Sequence, residues 1–60
     1  MGLKINSKYI LRFNLNGKIL TYTGVILSVD NMFVQFKDKF NDILNYNLNT
    51  LSSYEEVQWW

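Results

Sequence analysis

The sequence contains no cysteine and no histidine. A disulfide is thereby excluded, and so is a zinc site of ordinary composition, the two staples that small domains most often use. The same absences remove the commonest general base and the thiol nucleophile. Ser7, Ser28, Ser52 and Ser53 have no evident base nearby in the chain. The close carboxylates, Asp38 with Asp42 and Glu55 with Glu56, read as a solvated turn and an exposed edge. No glycine-rich phosphate loop is present. Catalysis is therefore not expected, and neither is a cofactor or a metal. No apolar run approaches the roughly 18 residues of a membrane-spanning helix. The start, "MGLKINSKYILRF", lacks the long apolar core and cleavage site of a signal peptide, and Asn6 stands where a myristoylation signal wants Ser or Thr. The expectation is a cytoplasmic protein without a membrane partner. Proline and alanine are also absent while asparagine occurs eight times, a bias of AT-rich codons and not a functional signal.

What is present is a folding composition. Of 60 residues, 48% are apolar and 17% aromatic, too many for a disordered chain. The length allows one domain, 1–60, with a core over about 8–57 and a tryptophan tail at 58–60. A domain this small buries only about 60% of its unfolded surface, so close packing or a partner chain must make up the difference. The net charge of +1 is too small to mark a nucleic-acid binder by electrostatics alone. Its distribution is polarised: Lys4, Lys8, Arg12 and Lys18 precede any acid, whereas Asp42, Glu55 and Glu56 occupy a last third without a base.

Period-two alternation predicts strands. Tyr9, Leu11, Phe13 and Leu15 fall on one face and Ile10, Arg12 and Asn14 on the other. Asn16-Gly17 is a strong hairpin signal, since both residues tolerate positive φ. A long second strand runs from Lys18 to about Val29, and Gly24 within it marks a bulge or bend. Asp30-Asn31 turns the chain into a third strand, Met32 to Lys37, with Met32, Val34 and Phe36 opposing Phe33 and Gln35. Asp42 to Leu48 forms a fourth strand with Leu44, Tyr46 and Leu48 inward. "NTLSS" reads as one 3₁₀ turn and "YEEVQ" as a short fifth strand. The predicted fold class is all-β: an SH3-like or Sm-like small barrel of five short strands, with a bent second strand and a 3₁₀ turn before the last.

The stretch "LNGKILTYTGVILSVDNMFVQF" resembles the first Sm motif of the Sm, Lsm and bacterial Hfq proteins. Gly17, Gly24 and Asp30 hold the places of that motif's two glycines and turn aspartate, and "NYNLNTLSSYEEV" sits where the family has strand four, a short turn and strand five. The family's second motif corresponds here to Asn49-Thr50-Leu51-Ser52, without its basic signature. The resemblance implies a small barrel, an affinity for single-stranded nucleic acid, and pairing of strand edges between copies.

Exposed aromatics beside Lys and Arg form the stacking platform used for single strands. The candidate nucleic-acid-binding residues are Lys8, Arg12, Lys18 and Lys37 for phosphate, with Tyr22 and Phe33 for bases. The expected function is a non-catalytic binding module for RNA or DNA. The rival is a protein-interaction or assembly module that uses the same aromatics and a strand edge. A homo-oligomer is expected, with Trp59 and Trp60 in its interface, because two docked indoles bury about 150–250 Å² each.

Overall fold

The computed structural model describes residues 2–58. Trp59 and Trp60, the expected interface pair, lie outside the described residues. Five antiparallel strands form one sheet in the order β4-β3-β2-β1-β5. They are β1 (Lys8–Leu15), β2 (Lys18–Val29), β3 (Phe33–Asp38), β4 (Ile43–Asn47) and β5 (Leu51–Val57), with a 3₁₀ turn at Leu48–Thr50. The predicted bounds of β1 to β4 agree to within a residue or two. The fifth strand is longer than expected. It begins at Leu51, directly after the 3₁₀ turn, so "LSS" belongs to the ladder and not to the connection.

Local chemistry sets each turn. Asn16 and Gly17 adopt φ of 54° and 86°, the left-handed pair that a two-residue hairpin requires, and Asn14 Oδ1 accepts the Gly17 N–H at 2.9 Å. The β2–β3 turn is built on Asp30, whose Oδ1 accepts the backbone N–H of Met32 and of Phe33 at 2.8 and 2.7 Å. Met32 therefore belongs to the turn and is exposed, not inward in β3 as the alternation suggested. Asp38 does the same for the β3–β4 turn, accepting from Phe40 and Asp42, while Asn41 takes φ of 65°. Asn47 caps the 3₁₀ turn by accepting the Asn49 N–H at 2.8 Å.

Six side chains, Tyr9, Leu11, Phe13, Ile26, Val34 and Phe36, are at most 1% exposed. A single sheet without a helix layer can bury one face so completely only by curling around it. The ring contacts show the curl. Phe13 on β1 stacks on Tyr46 on β4, centroids 4.4 Å apart, although three strand spacings of about 4.8 Å would separate those strands in a flat sheet. The sheet nevertheless remains open. Among the described residues no ladder joins β4 to β5, so each presents one unpaired edge. The N-terminal segment closes one side of the concave face. Asn6 donates to Ile26 O, Tyr9 Oη accepts the Lys4 N–H and donates to Gly2 O, and Leu3 packs on the core.

Gly24 is not a bulge. It stays in register with Tyr9 on β1 and Asp38 on β3, at the point where β2 exchanges one partner for the other. A Cβ there would meet Lys37 O at 2.7 Å and Phe36 Cδ2 at 2.9 Å. Close approach of the neighbouring strand is what excludes a side chain here. The irregularities fall elsewhere, at Leu27 between Ile26 and Ser28, and in β5 opposite Arg12 and Phe13.

Candidate nucleic-acid interface

Directly paired residues of an antiparallel sheet share a face, so the register assigns each candidate to a side. On the convex face, Lys8 opposes Val25, Val25 opposes Lys37, and Lys37 opposes Ile43, forming one row across four strands. Arg12 lies on the same face, between Thr21 and Ser53. Phe33 also shares it, opposite Asn47, and is 45% exposed. Four of the six predicted residues, Lys8, Arg12, Lys37 and Phe33, are thus brought to one surface.

The other two lie apart from them. Lys18 opposes Leu15 at the β1–β2 hairpin and has the concave-face parity. Tyr22 packs its ring against Phe13, Phe36 and Tyr46, with centroids 6.2, 5.4 and 5.5 Å away. Its hydroxyl is shared with that of Tyr46 at 2.7 Å. That hydrogen bond, with partial burial, pushes the Tyr46 hydroxyl up to about 12, because ionisation would remove a donor from the pair and leave a charge there.

Two concavities lie along the convex face. One, of about 170 Å³, is lined by Lys8, Lys37 and Lys39 together with Asn41 and Asp38. Three lysines against one aspartate leave it cationic, and Asp38 Oδ1 already accepts two backbone N–H groups. The second, of about 300 Å³, is lined by Ser28, Asp30, Phe33, Gln35 and Asn45. Here Ser28 opposes Gln35, and Gln35 opposes Asn45, so a hydroxyl and two amides stand in one row beside the Phe33 ring. Asp30 is held below its ordinary carboxylate range by the N–H groups of Phe33 and Met32. Lys37 and Gln35 are two residues apart on β3, so the two concavities are separated by only about 7 Å along the strand.

Sequence reasoning missed Lys39, Gln35 and Asn45. Lys39 sits in a polar turn, with its Nζ 5.3 Å from the Phe40 ring centroid. Phe40 is 71% exposed and lines a further concavity of about 430 Å³ with Thr21, Tyr22 and Thr23. Gln35 and Asn45 were visible as the outward partners in their strands, but only the register sets them beside Ser28 and Phe33. Comparison with family models, curated proteins and solved structures found no match.

Proposed function

We propose that the chain is a non-catalytic binding module of the SH3-like or Sm-like small-barrel class, and that its convex face binds single-stranded nucleic acid. The curl of the sheet and the strand order support the barrel class, with β4 and β5 as the strands that would meet. The observation that carries the binding reading is the adjacency of a lysine-lined concavity to one lined by an aromatic ring and amides. Phosphate contacts supply affinity and position, while stacking and hydrogen bonds hold bases. Lys37 and Lys39, with Lys8 and Arg12 on the same surface, serve the phosphates, and Phe33 serves a base. The test is a salt titration of the binding of short single-stranded RNA and DNA. Affinity should fall by about 0.7 log units per log unit of salt for each phosphate neutralised. No binding of either at low salt would reject this reading.

The second reading is a protein-assembly module, and the open edges of β4 and β5 favour it. Unpaired N–H and C=O rows are templates for another strand. The β4 edge also exposes Ile43, which is 57% accessible. Pairing of these edges between copies would make a homo-oligomer and leave the convex face available, so the two readings are compatible.

A further inference from the structure

The concavity beside Phe33 contains one lining group whose hydrogen-bonding polarity is fixed. Gln35 and Asn45 can turn either an oxygen or an NH₂ toward a ligand, and the Ser28 hydroxyl both donates and accepts. The Asp30 carboxylate only accepts. Its orientation is fixed as well, because Oδ1 receives the N–H of both Met32 and Phe33. With both backbone donors on Oδ1, the lone pairs of Oδ2 are left for a ligand. Among the described residues, Asp30 is also the one ionic group lining this concavity. A phosphate is therefore repelled here and directed to the lysines on the other side of Gln35. Phe33 and Asp30 line the same concavity, which thus offers a base a ring and a carboxylate together.

We propose that this concavity is a base-selective subsite that prefers guanine, whose Watson–Crick edge carries two adjacent N–H donors. The inference rests on the nucleic-acid reading and deepens it. Guanine directs N1–H and the exocyclic NH₂ together at Oδ2, the oxygen that the turn leaves open, a charge-assisted contact. Uracil presents one N–H between two carbonyl oxygens, which bring partial negative charge toward Asp30. Adenine and cytosine offer a single amino group beside an acceptor nitrogen, and fall between.

The experiment compares hexauridylate with the same hexamer carrying one central guanosine or one central inosine, by fluorescence anisotropy at low salt, with the deoxy series based on thymidine in parallel. The guanosine hexamer should bind about fivefold or more tightly than the all-pyrimidine one, the low end of a two-bond base contact. Inosine, which lacks the exocyclic amine, should lose most of that gain. The substitution Asp30→Asn keeps an Oδ1 for the turn and puts an NH₂ where Oδ2 was, so it should abolish or reverse the preference without loss of fold by circular dichroism. Equal affinity of guanosine, inosine and pyrimidine hexamers for the native chain overturns the subsite and leaves the nucleic-acid reading standing. That comparison needs no variant. A guanosine preference that survives in folded Asp30→Asn overturns the role of the carboxylate. Failure of every hexamer to bind rejects the nucleic-acid reading, and this inference with it.

Discussion

The hydroxyls of Tyr22 and Tyr46 meet at 2.7 Å although β3 lies between their strands. They span the concave face over Phe36, whose ring is 5.4 Å from that of Tyr22 and 6.0 Å from that of Tyr46. The pair is thus a clasp on the curl of the sheet, and it holds only while at least one hydroxyl keeps its proton. The folded pKa of Tyr46, about 12, exceeds its ordinary 10.0. The stabilisation it brings is therefore complete below pH 10 and lost as the pH rises through about 12. Tyr46→Phe should lower stability at neutral pH by about 1 kcal/mol, a typical net hydrogen bond. The difference in Tm between the native chain and this variant should shrink between pH 10 and 12. A difference that stays constant over that range would show that the clasp contributes nothing to stability.

Gly24 tests the packing of β2 on β3. Because a Cβ would stand 2.7 Å from a backbone oxygen, relief requires the strands to separate. Gly24→Val should cost about 1–3 kcal/mol, the usual range for overpacking. Gly24→Ala should already be destabilising, since the clash is with the first carbon of any side chain. A chemical-denaturation midpoint unchanged in both variants would contradict the close approach.

Acid should loosen the β2–β3 turn. The folded pKa of Asp30 lies below its ordinary 3.8, so its contribution is present above the unfolded value and lost as the pH falls through the folded one. Asp30→Ala removes the acceptor at every pH. The native chain should therefore exceed Asp30→Ala in Tm near neutrality, and the gap should narrow below about pH 4, the unfolded value of a carboxyl. A gap that persists undiminished to pH 2 would assign the effect to something other than the carboxylate charge.

The register separates cations that the chain order places together. Lys18 is close to Arg12 in sequence, yet it stands at the hairpin with concave-face parity, while Lys37 and Lys39 line the cationic concavity. Lys18→Ala should leave the salt dependence of oligonucleotide binding unchanged. Lys37→Ala/Lys39→Ala should reduce the slope by about 0.7 for each phosphate that the two lysines neutralise. The opposite ranking would move the binding surface to the hairpin end.

Much of the fold was legible because its signals are local. Tyr9 to Leu15 alternates without a break, and Asn16-Gly17 can hardly be read as anything but a hairpin. What escaped depends on neighbours distant in sequence. Gly24 reads as a bulge or bend, and its own neighbours in the chain do not show that Lys37 O lies against it. Leu51-Ser52-Ser53 reads as turn because its polar residues face outward from an edge strand. The site was legible in part. Phe33 and Lys37 were identifiable as outward residues of β3, but the placing of Ser28 opposite Gln35 follows the shift at Leu27, which no periodicity announces. Tyr22 shows the converse: alternation on the two apolar faces of β2 did not decide its side, and the structure places it among the core rings.

The open edges lead to the last prediction. In the order β4-β3-β2-β1-β5, the outer strands each carry, among the described residues, one row of backbone groups without a strand partner. The β5 edge carries Glu55 and Glu56, and Glu56 is paired with Lys4 at 3.2 Å. These charges discourage indiscriminate pairing while allowing a partner of fixed register. The β4 edge carries no charged residue between Ile43 and Asn47, so β4 of one copy against β5 of another avoids like-charge contact, whereas β5 against β5 would bring four glutamates together. We therefore expect a closed, head-to-tail oligomer in preference to a two-fold dimer through β5. Sedimentation equilibrium should give a mass above the 7.2 kDa of the single chain. Asn45→Pro, which removes an N–H from β4, tests that strand as the pairing edge, with circular dichroism to confirm that it folds. A folded Asn45→Pro variant should sediment at lower mass than the native chain. A chain ending at Gln58 separates the edges from the tail: association that survives loss of Trp59 and Trp60 assigns it to the strands, and association that disappears assigns it to the indoles. A native chain that sediments at 7.2 kDa at high concentration excludes the oligomer altogether.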